Sequence, residues 1–218
     1  MKYVLFLLIS LSNLFAQQNK VSKILFSSNR DTTLSEPSLY IMNQDGTNIE
    51  RFIDSLIGFQ PRISKDGKKI TYTGVFNDSI LGPPQIHVMN VDGSDDHVVS
   101  LCNILGNWEP CVAHHYNPAF SPDGNFVAYY DEDGWTDSDI YVVSIDTNNF
   151  FKKVLTKPIT DEAFYDWSST EDRLLFISYF FNDTIDYDGE LCSMDSNGEN
   201  RTRLTYDSFI ILAAKIFT

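Results

Sequence analysis

A repeat constrains this chain more than any other feature of its sequence. Apolar runs that end in a turn occur as "SLYIMNQDGTN" (38–48) and "QIHVMNVDGSD" (85–95), with variants "DIYVVSIDTNN" (139–149) and "ELCSMDSNGEN" (190–200). A second element alternates with the first: "QPRISKDGKKITYT" (60–73), "NPAFSPDGNFVAYY" (117–130) and "YDWSSTEDRLLFIS" (165–178). A bare "KILFSS" (23–28) matches only the second half of that element. Corresponding positions Ile24, Ile70, Val127 and Leu174 lie 46, 57 and 47 residues apart. A unit recurring at this period is one supersecondary structure, and its apolar surface is buried by stacking on its neighbours.

Each unit reads as β throughout. Runs of four to six residues rich in Ile, Val, Tyr and Phe are bounded by Gly, Pro, Asp and Asn, and no stretch sustains the 3.6-residue period of a helix. Four short strands per unit are expected: a ("PAF"), b ("FVAYY"), c ("DIYVVSI") and d, ending in "KVLT" (153–156) or "TRLT" (202–205). That count and spacing predict an all-β β-propeller of four-stranded antiparallel blades. About four blades are expected, in a small or incomplete ring, with units near 22–57, 58–105, 116–158 and 163–206. The first unit lacks its own strand a. The closing stretch "DSFIILAAKIFT" (207–218) keeps only a trace of the repeat. It would either supply the missing strand of the first blade or leave an exposed apolar edge, through which copies could self-associate.

These residues resemble the TolB-type β-propeller repeat. Pro118 to Tyr129 match its Pro-x-[Phe/Trp]-Ser-Pro-Asp-Gly-x-x-[Ile/Val]-x-[Tyr/Phe] part. Leu39 to Gly46 match the Ile-Tyr-x-Met-x-x-Asp-Gly part, and Leu204-Thr205 the closing Leu-Thr. The resemblance covers residues 22–208 and implies a periplasmic interaction scaffold. Similar blades build the propeller domains of prolyl oligopeptidase-type peptidases and of some polysaccharide lyases, so the fold is implied more firmly than the function.

The first sixteen residues stand apart from the repeat. Lys2, an apolar run from Tyr3 to Ile9 and Ala16 before Gln17 have the layout of a secretory signal peptide. A propeller domain over 17–218, not embedded in the membrane, is the expected product, periplasmic or secreted from a bacterium. The chain has 16 Lys and Arg against 30 Asp and Glu, a net charge of −14. That balance argues against nucleic acid as a partner. Cys102 and Cys111 flank an eight-residue loop and could pair in an oxidising compartment, while Cys192 lies within an apolar strand pattern.

In a four-stranded meander the a–b and c–d turns lie on one face, and the b–c loops and inter-blade connections on the other. The turns here are short and regular; the loops 29–37, 74–84, 131–138 and 179–189, and the connection 100–116, are long and variable. Binding is therefore expected on the long-loop face. Trp108, His114, His115, Trp135 and Asp137 are the candidate contacts there. Adjacent His114 and His115 would point opposite ways on a strand, and "DEDGWTDSD" (131–139) lacks the spacing of a calcium loop. Trp167 aligns with Ile63 and Phe120 and is assigned to the core. No G-x-S-x-G, H-E-x-x-H, P-loop or C-x-x-C motif occurs. The reading is thus a non-enzymatic scaffold without cofactor or catalytic residues, binding a protein or cell-envelope component. A carbohydrate-active or hydrolytic propeller with a metal at its central funnel is the alternative, and a propeller fragment without activity of its own a third.

Overall fold

The structure, a computed structural model, describes residues 22–30, 37–53, 57–75, 83–104, 107–132, 138–156, 161–181, 187–206, 214 and 216. The first sheet comprises β1 (Lys23–Ser28), β2 (Ser38–Asn43) and β3 (Glu50–Arg51), in that order. The second comprises β4 (Gly58–Ile63), β5 (Lys69–Val75), β6 (Pro84–Asn90) and β7 (His97–Val98). A two-stranded hairpin follows, β8 (Leu101–Ile104) and β9 (Asn107–Pro110). The third sheet comprises β10 (His114–Phe120), β11 (Phe126–Glu132), β12 (Ile140–Ser144) and β13 (Lys152–Val154). The fourth comprises β14 (Asp161–Trp167), β15 (Leu174–Phe181), β16 (Tyr187–Met194) and β17 (Thr202–Arg203). Every pairing is antiparallel between consecutive strands, which is the meander of a propeller blade.

Among the described residues the first blade has three strands and no strand a, and β1 lies at the edge of its sheet with β2 as its ladder partner. Two details lay outside the sequence expectation. The connection 100–116 folds into the β8–β9 hairpin, and the third blade's c–d turn contains a single 3-10 turn, Thr147–Asn149, capped by the Asp146 carboxylate.

Side-chain alternation along the strands binds blade to blade. On β11, Val127 and Tyr129 join Ile86, Val88 and Val99 of the second blade. Ala128, between them, points the other way and packs with Phe164, Trp167, Leu174 and Phe176 of the fourth. Leu39 and Ile53 of the first blade meet Ile70, Tyr72 and Met89 of the second. Trp167 is buried between the third and fourth blades, in the core position its alignment gave it. Each such aliphatic or aromatic side chain contributes roughly 1.5–3 kcal/mol of burial free energy.

A bulge interrupts strand a in three blades, between Phe59 and Arg62, Tyr116 and Ala119, and Phe164 and Asp166. In two of them the bulged residue adopts positive φ: Gln60 at 55° and Asn117 at 54°. The bulge turns each side chain toward a neighbouring blade. Gln60 Oε1 accepts from Asn117 N–H at 2.9 Å, and Asn117 Nδ2 donates to the Phe164 carbonyl at 3.1 Å. Phe164 has no polar side chain to continue the series.

Sheets pack in chain order, first on second, second on third and third on fourth, and among the described residues no comparable packing joins fourth to first. The described blades thus form an incomplete ring. Most of 207–218 lies outside the described residues, so the proposed closing strand does too; Ile216 N–H donates to Asp166 Oδ2 of the fourth blade at 3.1 Å.

Candidate binding faces

The turn face is built by one local device. Ser121 Oγ donates to Asp123 Oδ1 at 2.6 Å, and the same oxygen accepts from Asn125 N–H at 3.0 Å. Gly124 closes the turn at φ 74°. Ser64, Asp66 and Gly67 repeat the arrangement in the second blade. The serine hydroxyls, with the backbone N–H groups behind them, hold both carboxyls below their ordinary range. In the fourth blade Ser168 Oγ accepts the turn N–H groups of Thr170 and Glu171 without an Asp-Gly pair. The glycine supplies the left-handed backbone and the aspartate the hydrogen-bonded scaffold, so this acidic pair is a turn component.

Several concavities open on that face, two of them lined in part by Trp167. One of about 430 Å³ lies between the third and fourth blades, with Phe126, Val142, Phe151 and Trp167 among its lining and Lys153 and Asp172 at its margin. The other, about 200 Å³, lies where the strand-a ends converge, and Arg62, Lys65, Ala119, Asp166, Trp167 and Ile216 line it. None of the four histidines of the chain lines either one.

The long-loop face carries a different surface. Phe59, Tyr116, Tyr130, Tyr165 and Tyr179 are partly buried and come from the second, third and fourth blades. The Phe59 and Tyr116 rings lie 6.2 Å apart between centroids, and Tyr116 and Tyr130 5.7 Å. His114 meets Tyr116 edge-on, its Nδ1 3.3 Å from the phenol oxygen. Burial raises the phenol pKa of Tyr116, Tyr130, Tyr165 and Tyr179. The charge of Glu132 adds to the rise at Tyr116 and Tyr130, and that of Asp161 at Tyr179. These side chains therefore present neutral hydroxyls near neutral pH. We call this surface the aromatic mouth.

Beside it lies a buried polar node. Gln85 Nε2 donates to the Ala113 carbonyl at 2.8 Å, and its Oε1 accepts from Ser100 Oγ and Cys111 N–H, both at 3.1 Å. Cys102 and Cys111 are joined by a disulfide that closes the base of the β8–β9 hairpin. Lys152 Nζ lies 3.6 Å from Cys111 Sγ, donates to the Leu101 carbonyl at 3.3 Å and stands 4.5 Å from the Tyr141 ring centroid. Burial lowers its pKa to about 8, while the neighbouring Asp131 charge opposes the change; Asp131 itself is raised by burial to about 6.

The sequence candidates separate on this face. His114 is exposed and His115, next to it on β10, is buried against Tyr129. Burial, aided by the Lys152 charge, depresses the His115 pKa to about 3, so its imidazole is neutral. Trp108 lies on β9, paired with Asn103, but its side chain falls outside the described residues, as do Trp135 and Asp137 entirely. The aromatic mouth was not among the sequence candidates. Its trace was the aromatic residue preceding Gln60 and Asn117, Phe59 and Tyr116, at the same repeat position in two units.

A further constellation looks catalytic and is structural. His87 Nδ1 lies 3.1 Å from Asp96 Oδ1, and Tyr72 Oη donates to Asp96 Oδ2 at 2.6 Å. His87 Nε2 is buried without a hydrogen-bond partner, and a Cβ placed on Gly74 would stand 3.3 Å from it. There is no room for a reacting group at that nitrogen, so the dyad belongs to the interior of the second blade. Among the described residues no group of three or more His, Cys, Asp or Glu is placed to hold a metal ion, and no helix is long and apolar enough to cross a membrane.

Four-stranded meanders stacked face to face about a line of strand-a ends define a β-propeller fold. No family model matches the sequence, and no curated protein matches it. Among solved structures the fold is similar to that of a protein described as TolB from Agrobacterium tumefaciens, with TM-score 0.64 at 19% identity, over 83% of this chain and 60% of that one. TolB from Acinetobacter baumannii gives 0.57 at 20%, over 84% and 40%. The oligogalacturonate lyase of Vibrio parahaemolyticus gives 0.55 at 13%, over 83% and 48%. The chain thus spans about two fifths to three fifths of the length of these proteins, and a protein described as a lyase shares the blade architecture with the two described as TolB.

Proposed function

We propose that this protein is an exported, non-catalytic propeller scaffold that binds a protein or other cell-envelope component through its long-loop face. The aromatic mouth carries the reading: partly buried aromatic side chains from three blades, four of them tyrosines, form a contact surface of the residue type enriched at interfaces. The disulfide at the adjacent hairpin suits an oxidising compartment, in keeping with the signal-peptide layout of residues 1–16. The likeness to TolB structures supports a scaffold role, with export and partner argued from this chain's own residues.

Photo-crosslinking tests the assignment of the face. A crosslinking amino acid at position 114 should capture an envelope component, and the same group at position 197, on the turn face, should not. Trp108→Ala and Trp135→Ala should weaken that capture while leaving cooperative unfolding intact. Capture from position 197 alone, or from neither position, would refute the assignment.

A further inference from the structure

We infer that the aromatic mouth receives the positively charged side chains of an extended basic peptide segment in the partner. This inference rests on the reading of the long-loop face as the binding face and adds the chemistry of what is bound there.

Aromatic groups elsewhere in the molecule have cations of their own. Arg30 stands 5.0 Å from the Phe26 ring centroid, Lys152 4.5 Å from that of Tyr141, Arg201 4.9 Å from that of Phe176 and Arg203 4.8 Å from that of Tyr206. Among the described residues no Lys or Arg takes that position at Phe59, Tyr116, Tyr130, Tyr165 or Tyr179. Among the described residues these rings thus lack a cation of their own, which a basic partner could supply.

Carboxylates stand around the same rings. Glu132 is exposed at the end of β11, opposite His114 in the ladder, and Asp161 opposes Tyr179. Glu132 and Asp161 influence the tyrosines electrostatically, so a cation over those rings also lies within their field. The net charge of −14 draws a basic segment toward the surface and repels an acidic one.

Spacing suits an extended peptide. Successive side chains on one face of a strand are about 6.6 Å apart, two residues at about 3.3 Å each. The ring centroids from Phe59 through Tyr116 to Tyr130 follow at 6.2 and 5.7 Å. A segment with Arg or Lys at alternate positions would therefore place one cation per ring, with intervening side chains turned away.

Calorimetry with three capped peptides tests this: alternating Arg-Gly, alternating Gln-Gly and alternating Glu-Gly. The Arg peptide should bind, and the other two should not. Tyr116→Leu and Tyr130→Leu should each weaken binding roughly 3- to 30-fold, the range of a cation–π contact from exposed to desolvated. Glu132→Gln should weaken it about threefold and reduce its sensitivity to salt between about 0.02 and about 0.3 M. Tyr206→Leu, at an outer-edge ring already attended by Arg203, should leave it unchanged. If Tyr130→Leu fails to fold, Glu132→Gln on the exposed rim and Tyr179→Leu carry the test. Equal binding of the Gln peptide would overturn the inference. So would Arg-peptide binding untouched by the tyrosine variants, since net charge alone would then account for it. Capture at position 114 without any preference for the Arg peptide would refute this inference and leave the face assignment standing.

Discussion

At Gly74 the interior of the second blade leaves no space for even one methyl group. A Cβ there would come 2.8 Å from the Tyr72 ring and 3.2 Å from the His87 ring, both buried. Gly74→Ala should cost about 1–3 kcal/mol by overpacking, read as a lower urea midpoint. Gly67 and Gly124 differ in cause: nothing lies within 4 Å of an added Cβ, and the penalty there is the positive φ alone. His115 gives the acid response its sign. Its ordinary pKa of 6.5 falls to about 3 on burial, so between those values the unfolded chain binds the extra proton. Its contribution to stability therefore falls as pH drops from about 6.5 toward about 3. Asp131, raised from 3.8 to about 6, works in the opposite direction: its contribution is present below 3.8 and lost as pH rises through about 6. His115→Phe should flatten the acid loss relative to the parent, measured as the difference between urea midpoints at about pH 4.5 and about pH 7.

Among the elements, the β8–β9 hairpin is the one that departs from the repeat. Its base is held by the disulfide, by Gln85 and by the Lys152 bond to the Leu101 carbonyl. Closing so short a loop stabilises by about 2–3 kcal/mol in the chain-entropy account. Cys102→Ser/Cys111→Ser should lower the unfolding free energy by that amount, and the parent under a strong reductant should match it. A double variant as stable as the oxidised parent would show the hairpin to be held by Gln85 and Lys152 alone. The a–b turns show the opposite economy. Three residue types, Ser, Asp and Gly, recur because a tight link between antiparallel strands needs one left-handed residue and partners for its N–H groups.

Across the whole molecule, stability should grade with the number of neighbours. The second and third blades are packed on both faces, whereas the first has three strands and meets only the second among the described contacts. In a stack of repeats, stability is close to a sum of repeat and interface terms. Amide exchange should therefore be fastest in β1 and β2 and slowest in β5 and β11, as hydrogen-exchange mass spectrometry can resolve. Equal protection in the first and third blades would mean that the first has a partner on its free face.

The sequence by itself determined the strands of the blades, their order and the turns between strands a and b. Those features depend on local periodicity and on residues such as Gly124 whose backbone preference acts where it stands. It also placed Trp167 in the core, because a repeat carries burial from one unit to the next. Only the tertiary structure decided the rest. Phe59, Tyr116, Tyr130, Tyr165 and Tyr179 lie up to 120 residues apart in the chain. They gather because a bulge in strand a and the stacking of three blades bring the same ends of their strands together. His87 and Asp96 meet by the same folding, but in an interior with no room for chemistry. A contact surface composed across blades has no local signature, since each of its residues, read alone, is an ordinary strand aromatic.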